Sequence, residues 1–200
     1  GRMTNKQGPK AKKFMEGCMA SYHDHSNVWL MQANVDVQLY LYDMDRIKKD
    51  RTLTPRYPYA LEDAYAAFVK AVELDPKVEP KKGLLGAKDG QQLLAGPFED
   101  KAKAAEDKGD YDEAIKYYQM ASKCYELAAK KDNAAITYLF TAIVYGKKND
   151  NANLEKMLEK CLATSPTAST AAYEVLYDLY KQVKDTVKCG EIMAKAQKAA

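Results

Sequence analysis

Large and small apolar residues recur at helical spacing through most of this chain, most clearly between Tyr138 and Pro166. Tyr138-x-x-Thr141-Ala142-x-x-Tyr145 is followed by a polar turn through Asn149 and Asp150, then by Leu154-x-x-x-Leu158-x-x-Cys161 and a closing Pro166. Residues three and four apart share a helix face, so each segment presents an apolar stripe, and the short polar interval lets the two stripes meet. The pattern predicts one helix-turn-helix unit.

The same frame returns along the chain. Moved forward by 35 positions it gives Tyr173-x-x-Leu176-Tyr177-x-x-Tyr180, a turn at Lys184-Asp185, and Cys189-x-x-x-Met193-x-x-Ala196. Moved back by 40 it gives Phe98-x-x-Lys101-Ala102-x-x-Ala105, the turn Lys108-Gly109-Asp110-Tyr111, and Ala114-x-x-x-Tyr118-x-x-Ala121. Further upstream Ala64-x-x-x-Phe68-x-x-Ala71 matches the second helix, while its partner begins at Trp29-x-x-Gln32-Ala33, leaving an insertion of about 19 residues relative to the usual period. The first helix is expected to run through Tyr40 and Leu41 and to give way to a long loop containing Pro55 and Pro58. Ala11-x-x-x-Met15-x-x-Cys18 reads as a second helix without its partner. Outside the frame, Pro80, Gly83, Gly86 and Gly90 predict a linker over 77–95, with Gln91 to Leu94 as a short helical piece. Tyr125 to Ala129 is expected to extend the preceding helix by about two turns.

These residues resemble the tetratricopeptide repeat family, whose pattern is W-x-x-L-G-x-x-Y, then A-x-x-x-F-x-x-A, then P. The strings closest to it are Gly109-Asp110-Tyr111-Asp112-Glu113-Ala114 and Ala71-Val72-Glu73-Leu74-Asp75-Pro76. The resemblance implies an all-α, right-handed superhelical solenoid of antiparallel helix pairs. Its parts would be a half repeat at 4–22, repeat one at 27–76 with its insertion, the linker, and repeats two, three and four at 96–131, 134–166 and 169–200. The chain departs from the family in having no Gly at the eighth position, where Ala33, Ala102, Ala142 and Tyr177 stand, and in closing only two of the four repeats with Pro; the bulky Tyr177 must splay its helix pair or find a smaller neighbour.

Composition narrows the function classes. A hydrophobic content of 46% and a charged content of 30% are those of a folded soluble domain. The net charge of +3 is spread along the chain, which argues against nucleic-acid binding. No apolar run approaches the roughly 18 residues of a membrane span, and no segment has the order of a signal peptide. Gly1-Arg2-Met3 reads as the remnant of a tag. Cys18, Cys124, Cys161 and Cys189 lack metal-ligand spacing and read as buried free thiols, which leans towards a reducing compartment. Against that lean, bacterial proteins of this kind often carry a removed export signal, so both the cytoplasm and the periplasm or cell envelope stay open.

Candidate chemistry is sparse. His23 and His25, two apart, do not share a helix face; a loop could let them chelate a metal, but a polar connection capped by Asp24 or Ser26 is the expected reading. Gly83 to Gly90 lacks the order of a phosphate loop, and no nucleophile can be given an orienting partner, so neither a cofactor nor catalysis is expected. The fifteen tyrosines serve either a core of stacked helices or a contact surface.

In the family, function lies on a concave surface formed by first helices. The resemblance puts Leu30 and Asn34 there from repeat one, Glu99 and Asp100 from repeat two, Leu139, Phe140 and Ile143 from repeat three, and Asp178 from repeat four. Lys103, Glu106, Asp107 and Lys147 occupy equivalent positions. Acids stand where members that grip a chain-terminal carboxylate carry bases, so the expected partner is a protein or peptide segment that is amphipathic and basic. The apolar trio is a binding patch if exposed; otherwise 77–95 or a neighbouring helix covers it. The alternative is an assembly module stacking end to end into a homo-oligomer through the half repeat and the final helix at Ala194 to Ala200.

Overall fold

Apolar stripes at helical spacing produce nine α-helices, and no strand, among residues 7–199, which the computed structural model describes. Gly1-Arg2-Met3, the first residues of the expected half repeat and Ala200 lie outside the described residues. The helices are α1 (Gln7–Tyr22), α2 (Ser26–Lys49), α3 (Ala60–Leu74), α4 (Ala87–Asp107), α5 (Tyr111–Leu127), α6 (Lys131–Lys147), α7 (Asn151–Thr164), α8 (Thr170–Gln182) and α9 (Thr186–Ala199). Within the units, α1–α2 and α2–α3, then α5–α6, α6–α7, α7–α8 and α8–α9, pack as consecutive antiparallel pairs, a helical-repeat arrangement. The chain divides into two compact units between Leu94 and Ala95, inside α4.

In the first unit α2 packs against α1 and α3 around Met15, Leu30, Val37, Leu39, Leu61 and Phe68. α2 runs to Lys49, about two turns beyond Leu41, because no Gly or Pro interrupts it and Arg46, Lys48 and Lys49 complement the negative end of the helix dipole. The loop before α3 is tied down by the buried Asp43, whose carboxylate pairs with Arg46 at 2.8 Å and accepts the Tyr57 N–H at 2.6 Å. The expected linker is shorter than its glycines suggest. Gly83 takes a left-handed φ of 87°, but Gly90 lies inside α4. There it serves close approach: a Cβ on it would stand 2.1 Å from the Phe68 ring. Pro97 is also internal to α4 and brings no N–H to the Leu93 carbonyl.

The second unit repeats one turn four times. Gly109, Ala129, Asn149 and Lys184 all have positive φ. Each donates its N–H to the carbonyl three residues back, and the residue after each donates to the carbonyl five back, at Ala105, Tyr125, Tyr145 and Tyr180. This is the Schellman geometry, which satisfies the orphan carbonyls of one helix while reversing the chain into the next. At three of the turns the next residue is aspartate, and Asp110, Asp150 and Asp185 accept the N–H of Glu113, Asn153 and Lys188 as N-caps. The fourth has Ala129 and Lys130, and Lys130 makes no side-chain cap. α5 therefore ends at Leu127, about one turn past Cys124 instead of two, and α6 starts at Lys131.

Asp36 on α2 is buried, with its carboxyl pushed up from 3.8 to about 6. Burial is the main cause; the hydrogen bond from Gln32 opposes it, the Asp63 charge adds to it, and Lys12 opposes. The folded state thus holds this proton more tightly than the unfolded chain does, and stability falls as pH rises from about 4 to about 6 and is flat above.

Two outcomes follow from these features. Replacing Ala129 with Gly and Lys130 with Asp should together raise stability by about 1–2 kcal/mol, read from urea denaturation. Asp36→Asn should stabilise the protein by on the order of 2 kcal/mol at neutral pH, with the gain vanishing below about pH 4.

Candidate functional site

On the second unit, the outward-facing parts of α4, α5 and α6 enclose a cavity of about 460 Å3 lined by Glu99, Asp100, Lys103, Glu106, Asp107, Tyr118, Phe140 and Ile143. The α4 residues fall at steps of three and four and so share one face. α6 supplies the apolar wall: Phe140 is 40% exposed and Ile143 42%. Tyr118 of α5 closes the site from behind, its ring 5.8 Å from that of Phe140 and tilted by 45°.

The acids of this rim are held in different ways. Glu106 accepts the Tyr118 hydroxyl at 3.1 Å and the Lys147 ammonium at 2.7 Å. Glu99, half-buried, accepts the Tyr125 hydroxyl at 3.2 Å, and its other oxygen lies 3.0 Å from Thr137 Oγ1. Burial, reinforced by the charge on Glu99, pushes the Tyr125 phenol up to about 12, and burial followed by the charge on Glu106 raises that of Tyr118 further. Both phenols therefore stay protonated and donate at neutral pH. Asp100 and Asp107 are exposed. Four carboxylates against the single Lys103 make the lining strongly acidic.

The triad Tyr118, Glu106 and Lys147 has counterparts in the same unit. Tyr138 of α6 donates to Glu126 of α5 at 2.6 Å, with Lys160 of α7 over its ring at 4.1 Å. Tyr180 of α8 donates to Glu155 of α7 at 3.0 Å, and Lys188 of α9 lies 2.6 Å from Glu155 and 4.9 Å from the Tyr180 ring. Each tyrosine thus joins a carboxylate from the helix before it to an ammonium from the helix after it.

The structure gathers Glu99, Asp100, Phe140 and Ile143 from the expected concave residues, together with Lys103, Glu106 and Asp107 from equivalent positions. Leu139 is not part of the patch: at 7% exposure it belongs to the core with Tyr138 and Ala142. Leu30 is buried in the first unit. Asn34 is a structural anchor, its amide donating to the carbonyls of Leu30 at 2.8 Å and Leu85 at 3.0 Å while its oxygen accepts the Leu85 N–H at 2.7 Å. Asp178 lines a separate cavity of about 570 Å3 between α8 and α9. Tyr118 was missed as a groove residue, since its place one turn after Ala114 on a second helix carries no signal for the groove.

No histidine or cysteine lines the cavity between α4, α5 and α6. His25 caps α2 without a side-chain hydrogen bond, in place of Asp24 or Ser26, and the Trp29 indole donates to the His23 carbonyl at 2.6 Å. Among the described residues no three His, Cys, Asp or Glu side chains gather as a metal site would require. All four cysteines are free; burial pushes the Cys161 thiol up to about 11 and that of Cys124 higher. No described helix is long and apolar enough to cross a membrane.

A comparison with known protein families and with curated proteins finds no match for this chain.

Leu139 and Phe140 stand side by side with opposite roles. Leu139→Asp should unfold the second unit, since an unpaired buried carboxylate costs several kcal/mol, whereas Phe140→Asp should leave the circular dichroism and melting temperature close to the starting values.

Proposed function

We propose that the chain is a non-catalytic interaction module of tetratricopeptide type, taking a basic, amphipathic protein segment into the cavity between α4, α5 and α6. The observation that supports this most directly is the joining of exposed Phe140 and Ile143 to an acid-lined rim. Exposed apolar side chains in a concave, charged surround are the usual composition of a recognition groove. An apolar side chain of the partner would lie between Phe140, Ile143 and the Tyr118 ring, while its Lys or Arg side chains meet the exposed Asp100 and Asp107, with Glu99 and Glu106 adding negative field behind them. Because Glu99 and Glu106 are already fixed by tyrosine hydroxyls, that field is preorganised. The repeating Schellman turns and the alanines at the helix crossings support the family assignment.

A synthetic Leu/Lys amphipathic helix carrying a fluorophore tests the reading. Anisotropy should show binding that weakens as salt is raised and falls by more than about 10-fold for Phe140→Asp and for Asp100→Lys combined with Asp107→Lys. Equal binding of the matched Leu/Glu helix would sink the proposal.

A further inference from the structure

α8 and α9 form a helix pair that does not close. At the position where the other pairs have Ala33, Ala102 and Ala142, all buried, this one has Tyr177, half-buried against the core. A phenol at a helix crossing holds the helices apart. α9 accordingly buries only Ile192. Met193, Val187 and Val183 at this end of the unit are 51%, 70% and 63% exposed. The space left by the splay is the cavity that holds Asp178, floored by Tyr173, Tyr177 and Ile192, with Met193 on one edge. On the other edge stand Glu174 and Asp178, four apart on α8, both exposed and without an ion-pair partner among the described residues.

One element of the chain has the complementary surface. α1 carries Lys10, Lys12 and Lys13 against the single acid Glu16. Lys12 lies within the field of Asp36 and Asp63, but Lys10 and Lys13 are exposed and unpaired among the described residues. Beside them Phe14 is 62% exposed, and next along the same face Gly17 has open space where a side chain would be. Lys10 and Lys13, three apart, have nearly the same separation as Glu174 and Asp178, four apart, about 5–6 Å between Cβ atoms in each case.

We infer that α1 of a second copy of this chain docks in the α8–α9 groove, Phe14 entering the cavity over Tyr173 and Tyr177 while Lys10 and Lys13 pair with Glu174 and Asp178. The two surfaces are different patches of one chain, so each copy can offer its α1 to one neighbour and its groove to another or to the same one. The inference is independent of the peptide groove on α4 to α6, whose residues it does not use.

Charge reversal separates the two surfaces. By sedimentation equilibrium of the full chain at about 0.05 M salt, the weight-average mass should rise with concentration, and it should return to the monomer at about 1 M salt, where screening shortens to roughly 3 Å. The double variant K10E/K13E should be monomeric, as should E174K/D178K, because each lacks one of the two faces. An equimolar mixture of the two variants should associate again, since the intact α1 of one meets the intact groove of the other and the reversed faces also match. Tyr177→Ala, which lets α9 close, should abolish association in the otherwise unaltered chain while circular dichroism stays helical. A monomeric mass for the unaltered chain at every concentration overturns the inference. So does association that survives both charge reversals, or a mixture of the variants that remains monomeric. None of these outcomes bears on binding of the Leu/Lys helix, which Phe140→Asp tests separately.

Discussion

Close approach of helices across small side chains is the constraint on which the rest of this structure depends. Ala33, Ala64, Ala67 and Ala71 in the first unit, and Ala102, Ala105, Ala114, Ala121, Ala134 and Ala142 in the second, are all nearly or fully buried. The separation of packed helices is set by the side chains at the contact, and alanine permits the short end of the range. Larger residues such as Phe68, Phe98, Leu158 and Leu176 then fill the space on either side of each crossing. Gly90 takes the same rule to its limit, where the Phe68 ring occupies the volume of the missing side chain. Tyr177 breaks the rule and shows its force, because the helix opposite it is barely buried.

Tyrosine solves a different problem in the second unit. A buried ring contributes apolar area, but its hydroxyl needs an acceptor. Tyr118, Tyr138 and Tyr180 each find a glutamate on the preceding helix, and that glutamate in turn faces a lysine from the helix that follows. The lysines are largely solvated, so the ion pairs themselves add little stability. What the triads do is fix axial position, since sliding one helix along its neighbour would separate the hydroxyl from its carboxylate. This keeps Phe140 opposite Tyr118 and the α4 acids level with both.

Helices were legible in the sequence because their apolar stripes are regular, and the turns at Gly109, Asn149 and Lys184 because polar residues mark them. The turn at Ala129 was not, since nothing in Ala128-Ala129-Lys130 resembles a chain reversal. Gly90 misled because glycine weakens a helix locally, and only the distant Phe68 explains why it is tolerated. Asn34 could not be recognised as an anchor, because its partner Leu85 is 51 residues away. Phe140, Ile143, Glu99 and Asp100 were placed through the family resemblance, and they do share a cavity. Leu139 was placed with them because α6 is apolar around much of its circumference, so spacing alone could not divide its residues between core and surface.

The turn at Ala129 and Lys130 has a consequence for how the second unit comes apart. It pairs a non-glycine left-handed residue with an uncapped helix start, where the three sibling turns supply an aspartate cap. The apolar cluster running from Ala134 through Ile192 begins immediately beyond it and draws on α6 to α9, with only a partial contribution from Tyr125 on the near side. Local opening of this unit would therefore start at the first turn of α6, ahead of the cluster, while the packing of α5 on α6 and the Tyr138 to Glu126 hydrogen bond still hold the two helices together.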